Sequence, residues 1–176
     1  MRNLTRISLA LTGSAALALI AVVPANAADT LTVSITGGSL AITTGDNGLA
    51  LGAVVPGAPS TGTLTGVTAT DSRAGVEGWV AQATVGAFES STADTVATTS
   101  MSTAALTYTA TVPAVTGTVT ATNAAAVELS GTAVSVVTAD AVSGVNTATW
   151  DAGLSVAIPA QALAGTYTAV LTHSIL

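Results

Sequence analysis

The stretch from Gly165 to Ile175, GTYTAVLTHSI, carries the clearest structural pattern in the chain. From Tyr167 onward, every second residue is Tyr, Ala, Leu, His or Ile, and Thr, Val and Ser fill the positions between them. Successive side chains of a β-strand point to opposite faces, so this pattern predicts a strand with one largely apolar face. The approach to it, Leu163 to Tyr167, is typical of a tyrosine corner, in which a phenol pins a crossing between sheets.

The same alternation recurs at short intervals upstream. Turn-forming residues separate the segments, as in Gly45 to Gly48 and in the polar loop at residues 71–78. The predicted strands are residues 30–35, 39–43, 49–55, 62–70, 79–88, 106–112, 115–120, 132–138, 154–158 and 165–175. The pattern assigns residues 139–146 to a turn and residues 89–103 to a long surface loop, and it leaves residues 124–130 undecided.

Almost every predicted strand has one apolar face and one threonine-rich face, and no segment has the periodicity of an amphipathic helix. Strands with one buried face and short connections are typical of antiparallel sheets. The sequence therefore predicts an all-β fold, an antiparallel two-sheet β-sandwich of immunoglobulin-like type.

The N-terminus has the features of a secretory signal peptide. Arg2 and Arg6 precede an uncharged stretch rich in Ala and Leu, and Pro24 to Ala27 supplies an A-x-A cleavage site. We expect cleavage after residue 27 and a single domain at residues 28–176. The alternative is an uncleaved membrane anchor, for which the stretch is barely long enough.

The composition excludes several classes of partner. The chain is 49% hydrophobic and 7% charged, which indicates a folded protein rather than a disordered one. The predicted exported chain sets Arg73 against nine acidic residues, a formal charge of −8, so it has no basic patch for nucleic acid. It has no cysteine for a disulfide, and no later segment is apolar enough to span a membrane.

Catalytic and metal sites have little support in the sequence. His173 is the single histidine, and the chain contains no G-x-S-x-G nucleophile elbow. Two pairs of acids, Asp71 with Glu77 and Asp140 with Asp151, fall in predicted loops and are interpreted as solvated surface residues. We predict a protein that is not an enzyme and has no cofactor or structural metal; a weak calcium site near Asp46 stays open.

Four aromatic side chains could stack on sugar rings. They are Trp79, Tyr108, Trp150 and Tyr167, and strand alternation favours a core position for most of them. Among them only Trp150 is a candidate for exposure, because it lies beside Asp151 where we place the start of a strand.

Two blocks of sequence resemble a known family. The first is TDSR at residues 70–73, followed by Gly78-Trp79 and ending at Phe88; the second is AGTYTAVLT at residues 164–172. In this order, near the middle and the end of the chain, the blocks resemble the WxL domain of Gram-positive cell-surface proteins. The tryptophan motif reads Trp79-Val80-Ala81 at its first site, and His173-Ser174-Ile175 stands at the second.

The resemblance implies a secreted β-sandwich that is held non-covalently at the cell wall, with peptidoglycan or other surface proteins as partners. Trp79 is the motif residue that carries over as a binding residue. The alternative is a self-assembling structural subunit, because strands such as residues 106–112 and 132–138 lack the charges that usually protect sheet edges.

Overall fold

The computed structural model describes residues 30–46, 48–90, 101 and 104–176. The predicted signal peptide and most of the predicted loop at residues 89–103 lie outside the described residues. The chain divides into two units, Met1–Ser34 and Ile35–Leu176. The first unit is represented by residues 30–34 alone, and everything below concerns the second unless stated.

Among the described residues of the second unit there are ten β-strands, and all their pairings are antiparallel, which confirms the prediction of an all-β antiparallel fold. Eight strands form one large sheet, and β4 and β9 form a small one. The strands are β1 (Leu40–Thr43), β2 (Pro59–Asp71), β3 (Trp79–Val85), β4 (Glu89–Ser90), β5 (Leu106–Ala110), β6 (Ala114–Asn123), β7 (Val127–Leu129), β8 (Val134–Ala157), β9 (Tyr167–Thr168) and β10 (Leu171–Ile175).

The large sheet is organised around β8, which is 24 residues long. The first part of β8 pairs with β3 and with the end of β6, and its later part pairs with β2, β5 and the start of β6. The predicted turn at residues 139–146 is wrong. Positive φ angles at Ala141 and Gly144 bend the strand locally while its pairing with β6 continues on both sides.

The sheet curls until it nearly closes. Its hydrogen-bonded path runs β1-β2-β8-β3-β10, and the two end strands, β1 and β10, contact each other without pairing. The result is a near-barrel whose interior is lined by the inward positions of every long strand. Small inward residues such as Ala69, Ala81 and Ala148 leave room for two fully buried tryptophans, Trp79 and Trp150.

Several predicted strands differ from the structure. Residues 30–35 form no strand, although β1 follows at the predicted place. Gly38 N donates to Ser72 O at 2.7 Å, so the Gly37-Gly38 pair extends the β1–β2 ladder instead of reversing the chain. Residues 49–55 are also irregular, and the predicted last strand is split into β9 and β10.

No helix in the described parts of the chain is long and apolar enough to cross a lipid bilayer.

Candidate functional site

Trp79, the predicted binding residue, begins β3 and is buried, with 2% of its surface exposed. Its indole Nε1 donates a hydrogen bond to Oδ1 of Asn146 at 3.2 Å, and Asn146 Nδ2 donates to Oδ2 of Asp71 at 3.4 Å. The ring offers no open face for stacking in this conformation. The role of Trp79 in binding stays a prediction. Because the ring is buried, Trp79 would promote binding indirectly, by stabilising the fold.

An arginine completes this buried network. Arg73 Nε and Nη2 bond to the two carboxylate oxygens of Asp71 at 3.0 and 2.9 Å, a bidentate pair. Nη2 also donates to the carbonyl oxygens of Glu77 and Gly78, just before Trp79. The TDSR…GW block is thus one hydrogen-bonded unit that closes this end of the barrel, which we call the Arg73 end.

Electrostatics hold the network in its charged form. The hydrogen bond from the Arg73 side chain lowers the pKa of Asp71, against the opposing effect of burial. The same contact raises the pKa of Arg73. The Asp71 carboxylate is therefore ionised and paired with Arg73, whereas the Glu77 side chain is exposed at the surface. The two acids are in different environments and do not form a catalytic pair.

A second cluster of rings joins Trp150, Tyr108 and His173. Trp150 is 2% exposed, so the one candidate for an exposed ring is buried. The placement at a strand start is wrong, because the residue lies inside continuous β8. Its Nε1 donates to the Tyr108 hydroxyl at 3.0 Å, and that hydroxyl lies 3.1 Å from His173 Nε2. The Tyr108 and His173 rings meet edge to face, with centroids 5.6 Å apart.

The protonation states follow from burial. Burial raises the pKa of Tyr108 to about 12 and lowers the pKa of His173. At neutral pH the phenol keeps its proton and the imidazole is neutral. Since the indole N–H can only donate, the phenol oxygen accepts from Trp150 and its own proton is free to bond His173 Nε2. This chain of hydrogen bonds orients His173 within the near-barrel.

The remaining acids are dispersed. Asp140 and Asp151 both lie in β8, not in loops, and are exposed. Eleven residues separate them, on the order of 35 Å of extended strand, so β8 does not bring them together as a catalytic pair. Nowhere in the described ranges do three or more His, Asp or Glu residues group closely enough to hold a metal ion.

Hydroxyl groups cover the outer surface of one half of the sheet. Strand register places threonines of β2 and β6 opposite threonines of β8, and it places Thr107 of β5 opposite Ser155 of β8. Thr68 and Thr149 share a hydrogen bond of 3.0 Å between their hydroxyls. Side chains on such a surface repeat about every 6.7 Å along a strand and about 4.8 Å across strands. We call this surface the threonine face: Thr43, Thr61, Thr63, Thr68, Thr70, Thr107, Thr109, Thr116, Thr147, Thr149 and Ser155.

Two carboxylates interrupt the threonine face at a β-bulge in β2. Asp46 Oδ2 accepts from Thr65 N at 2.9 Å and Asp151 Oδ1 accepts from Gly66 N at 2.9 Å, so they satisfy the bulge's backbone donors. The backbone and side-chain hydrogen bonds from Thr65 lower the pKa of Asp46. The face therefore combines neutral hydroxyls with a small negative charge.

A large apolar cavity of about 1040 Å³ lies at the end of the barrel away from Trp79. Inward side chains such as Leu64, Val85 and Leu154 form part of its wall, and His173 contributes a polar group. Two irregular segments, residues 48–56 and 162–166, line it from outside the sheet. Its size lies at the top of the usual range for ligand pockets, roughly 300 to 1000 Å³.

Sequence reasoning missed two members of these clusters. Asn146 lay in the predicted turn, yet it links Trp79 to Asp71 and is 1% exposed. Tyr108 was assigned to the core but not connected to Trp150. The tyrosine corner shows its expected contact, since the Tyr167 hydroxyl donates to Leu163 O at 2.9 Å.

Comparison with known proteins identifies no relative. The resemblance to the WxL domain family stays a prediction from the two sequence blocks, of which the first contains Asp71, Arg73 and Trp79. No family model matches the chain, and no curated protein or solved structure matches it either.

Proposed function

We propose that this is a secreted, non-enzymatic cell-surface protein that associates non-covalently with wall peptidoglycan or with other surface proteins. In this proposal, cleavage after residue 27 releases the chain, and the near-barrel corresponds to the immunoglobulin-like sandwich of a WxL-like domain. Trp79 is retained at the first family motif, and His173 replaces the second tryptophan.

The threonine face is the observation that carries the proposal. Each hydroxyl both donates and accepts hydrogen bonds, and β-branched threonine holds it in a restricted orientation. A polymer of sugars and short peptides presents hydroxyl and amide groups of the same kind. A regular grid of hydroxyls suits many weak contacts with such a repeating polymer, and these contacts gain strength from repetition.

Charge favours hydrogen bonding over ionic attraction. Arg73 is the only basic side chain outside the predicted signal peptide, and it is already bonded to Asp71, Glu77 and Gly78. A chain of charge −8 and an anionic wall repel each other. Binding must therefore come from neutral groups, which the threonine face supplies.

Fractionation of producing cells tests this proposal. We expect the exported chain to begin at Ala28, to appear in the wall fraction, and to be released by a denaturant without enzymatic cleavage. Recovery in the cytoplasm with residues 1–27 intact would refute export. Recovery of the processed chain in the medium alone would refute wall association but leave export standing.

The alternative function, a self-assembling surface subunit, is favoured by β6. This strand is free of charged residues and mostly exposed, and it pairs with β8 along one edge. Uncharged strand edges promote pairing between chains. Concentration-dependent fibres from the purified exported chain would favour this alternative, whereas a stable monomer that sediments with walls would favour the first proposal.

A further inference from the structure

We infer that residues 30–36, here called the arm, insert into the apolar cavity of a second copy and join exported chains head to tail. The inference rests on the proposed export, because signal cleavage would leave the arm at the N-terminus. It deepens the self-assembly alternative by naming the two surfaces that meet.

The arm has the pattern of a strand without a partner strand. Leu31, Val33 and Ile35 occupy alternate positions and are 92%, 84% and 84% exposed. Thr32 and Ser34 lie between them, so an extended arm has one apolar face and one hydroxyl face. The hydrophobic effect favours burial of these three neighbouring apolar side chains against another surface.

The arm's connection to β1 prevents a hairpin with its own sheet. Gly38 N donates to Ser72 O and Ser72 N donates to Ser39 O, so the chain is already paired with β2 at this point. Gly37 packs so tightly on the carbonyl oxygen of Arg73 that a Cβ there would collide with it. A reversal at Gly37-Gly38 would break these contacts, so the arm needs a partner from elsewhere.

The cavity has the size and chemistry to accept it. The first six residues of the arm, 30–35, are about 20 Å long when extended, 4.8 Å wide across a sheet and 10 Å deep, on the order of 1000 Å³. The cavity measures about 1040 Å³ and has an apolar rim where Val55 is 71% exposed and Leu163 is 43% exposed. Leu31, Val33 and Ile35 would meet a wall built from leucine, valine and phenylalanine side chains.

A chain cannot fill its own cavity with this arm. Gly37 is fixed at the Arg73 end, and Ile35 lies within about 7 Å of it, at about 3.4 Å per residue. Thr44 directly follows β1 and is the first residue of the chain that lines the cavity. It lies seven residues after Gly37, so about 23 Å of extended strand separates Gly37 from the cavity. All three apolar side chains can therefore enter only the cavity of another copy.

This geometry has a consequence for symmetry. The arm leaves from the Arg73 end and the cavity lies at the opposite end, so the two contacting surfaces differ. A contact between different surfaces is heterologous, and without ring closure it produces an open filament. The assembly would be a polar chain of copies.

Sedimentation velocity of the purified exported chain over a concentration series tests the arm. We expect the parent to form oligomers and Val33→Asp to stay monomeric, because a carboxylate in the apolar cavity is costly. Ser34→Asp is the matched control, since it adds the same charge to the arm's hydroxyl face and should retain assembly. A parent that is monomeric throughout, or a Val33→Asp chain that assembles like the parent, would overturn the inference.

Disulfide trapping tests the acceptor, because the chain has no native cysteine. We expect Val33→Cys mixed with Val55→Cys to give at least tenfold more crosslinked heterodimer than Val33→Cys mixed with Val76→Cys. Val76 is 77% exposed and lies in the loop at the Arg73 end, away from the cavity. Equal crosslinking in the two mixtures would overturn the cavity as acceptor.

Wall binding by Val33→Asp separates this inference from the proposed function. A monomeric variant that still sediments with walls supports both. If the parent forms oligomers that do not sediment with walls, wall association is refuted and the role of the arm stands.

Discussion

Trp79 and Asn146 are joined by a buried hydrogen bond of 3.2 Å, although 67 residues separate them in the chain. Asn146 also bonds Asp71, which in turn holds Arg73. One amide thus connects β3, β8 and the end of β2. We conclude that the TDSR…GW block serves first to close the barrel.

Asn146→Ala should destabilise the fold by about 3 kcal/mol. The change leaves the buried Trp79 indole N–H without its acceptor, at about 1 to 3 kcal/mol. Asp71 Oδ2 loses its bond from Asn146 and keeps the one from Arg73 Nη2, which adds about 1 kcal/mol. Urea unfolding measures the loss. Asn123→Ala is the matched control, because Asn123 Nδ2 makes a half-buried bond to Ala110 O and should cost about 1 kcal/mol. Equal losses in the free energy of unfolding for Asn146→Ala and Asn123→Ala would contradict the stabilising role of the buried Trp79–Asn146–Asp71 network.

Stability should fall as the pH drops from 7 toward 5. Burial lowers the pKa of folded His173, so the unfolded chain binds a proton first, and the stabilisation complete above about pH 6.5 is lost as pH falls toward the folded pKa. His173→Gln should remove this dependence, because the chain has no other histidine. Thermal melts between pH 7 and pH 5 measure how the Tm changes with pH. If the Tm of His173→Gln changed with pH as steeply as that of the parent, the role of His173 would be contradicted. A separate loss below about pH 4 should follow from Asp71, whose pKa is lowered in the folded state.

Gly117→Ala should destabilise β6 by about 2 kcal/mol or more. Gly117 has a φ of 77°, and a Cβ there would collide with Val145 O in β8. At Gly131 a Cβ meets nothing within 4 Å, so Gly131→Ala should change stability by no more than about 0.5 kcal/mol. Denaturant midpoints of the two variants provide the comparison; similar values would show that β6 tolerates a side chain at its bulge.

The regular strands could be predicted because alternation is a local property. β3 and β10 follow the pattern in which every second residue packs inward; β3 begins at the predicted residue, and β10 lies within the predicted last strand. The continuity of β8 could not be predicted, since Asp140, Ser143 and Gly144 are turn-forming residues locally. Pairing of this segment with residues of β6 that lie 20 or more positions earlier in the sequence overrides that preference.

The site was harder to predict than the fold because its contacts are long-range. Trp150 beside Asp151 resembles an exposed strand start, and only the distant Tyr108 shows why the indole is buried. The arm shows the opposite error: residues 30–35 have the alternating pattern of a strand, but the structure assigns none of them to a strand. Pattern alone does not identify the partner.

Wall association should not weaken as salt is added. Salt screens the repulsion between an anionic wall and a chain of charge −8, whereas hydrogen bonds from hydroxyls are little affected. We expect equal or greater retention on isolated walls at 0.5 M than at 0.05 M sodium chloride. A steep decline with salt would indicate an ionic contact and contradict the role of the neutral face.

The most direct test is co-sedimentation of the exported chain with isolated Gram-positive cell walls, using two matched pairs of valine substitutions. Thr70→Val with Thr147→Val removes two opposed hydroxyls from the threonine face, and Thr84→Val with Thr172→Val removes two opposed hydroxyls from the other half of the sheet. Circular dichroism confirms that each variant is folded. We predict retention of the parent and of the second pair, and at least a fivefold loss for the first; no retention of the parent, or equal retention of both pairs, would contradict wall binding through the threonine face.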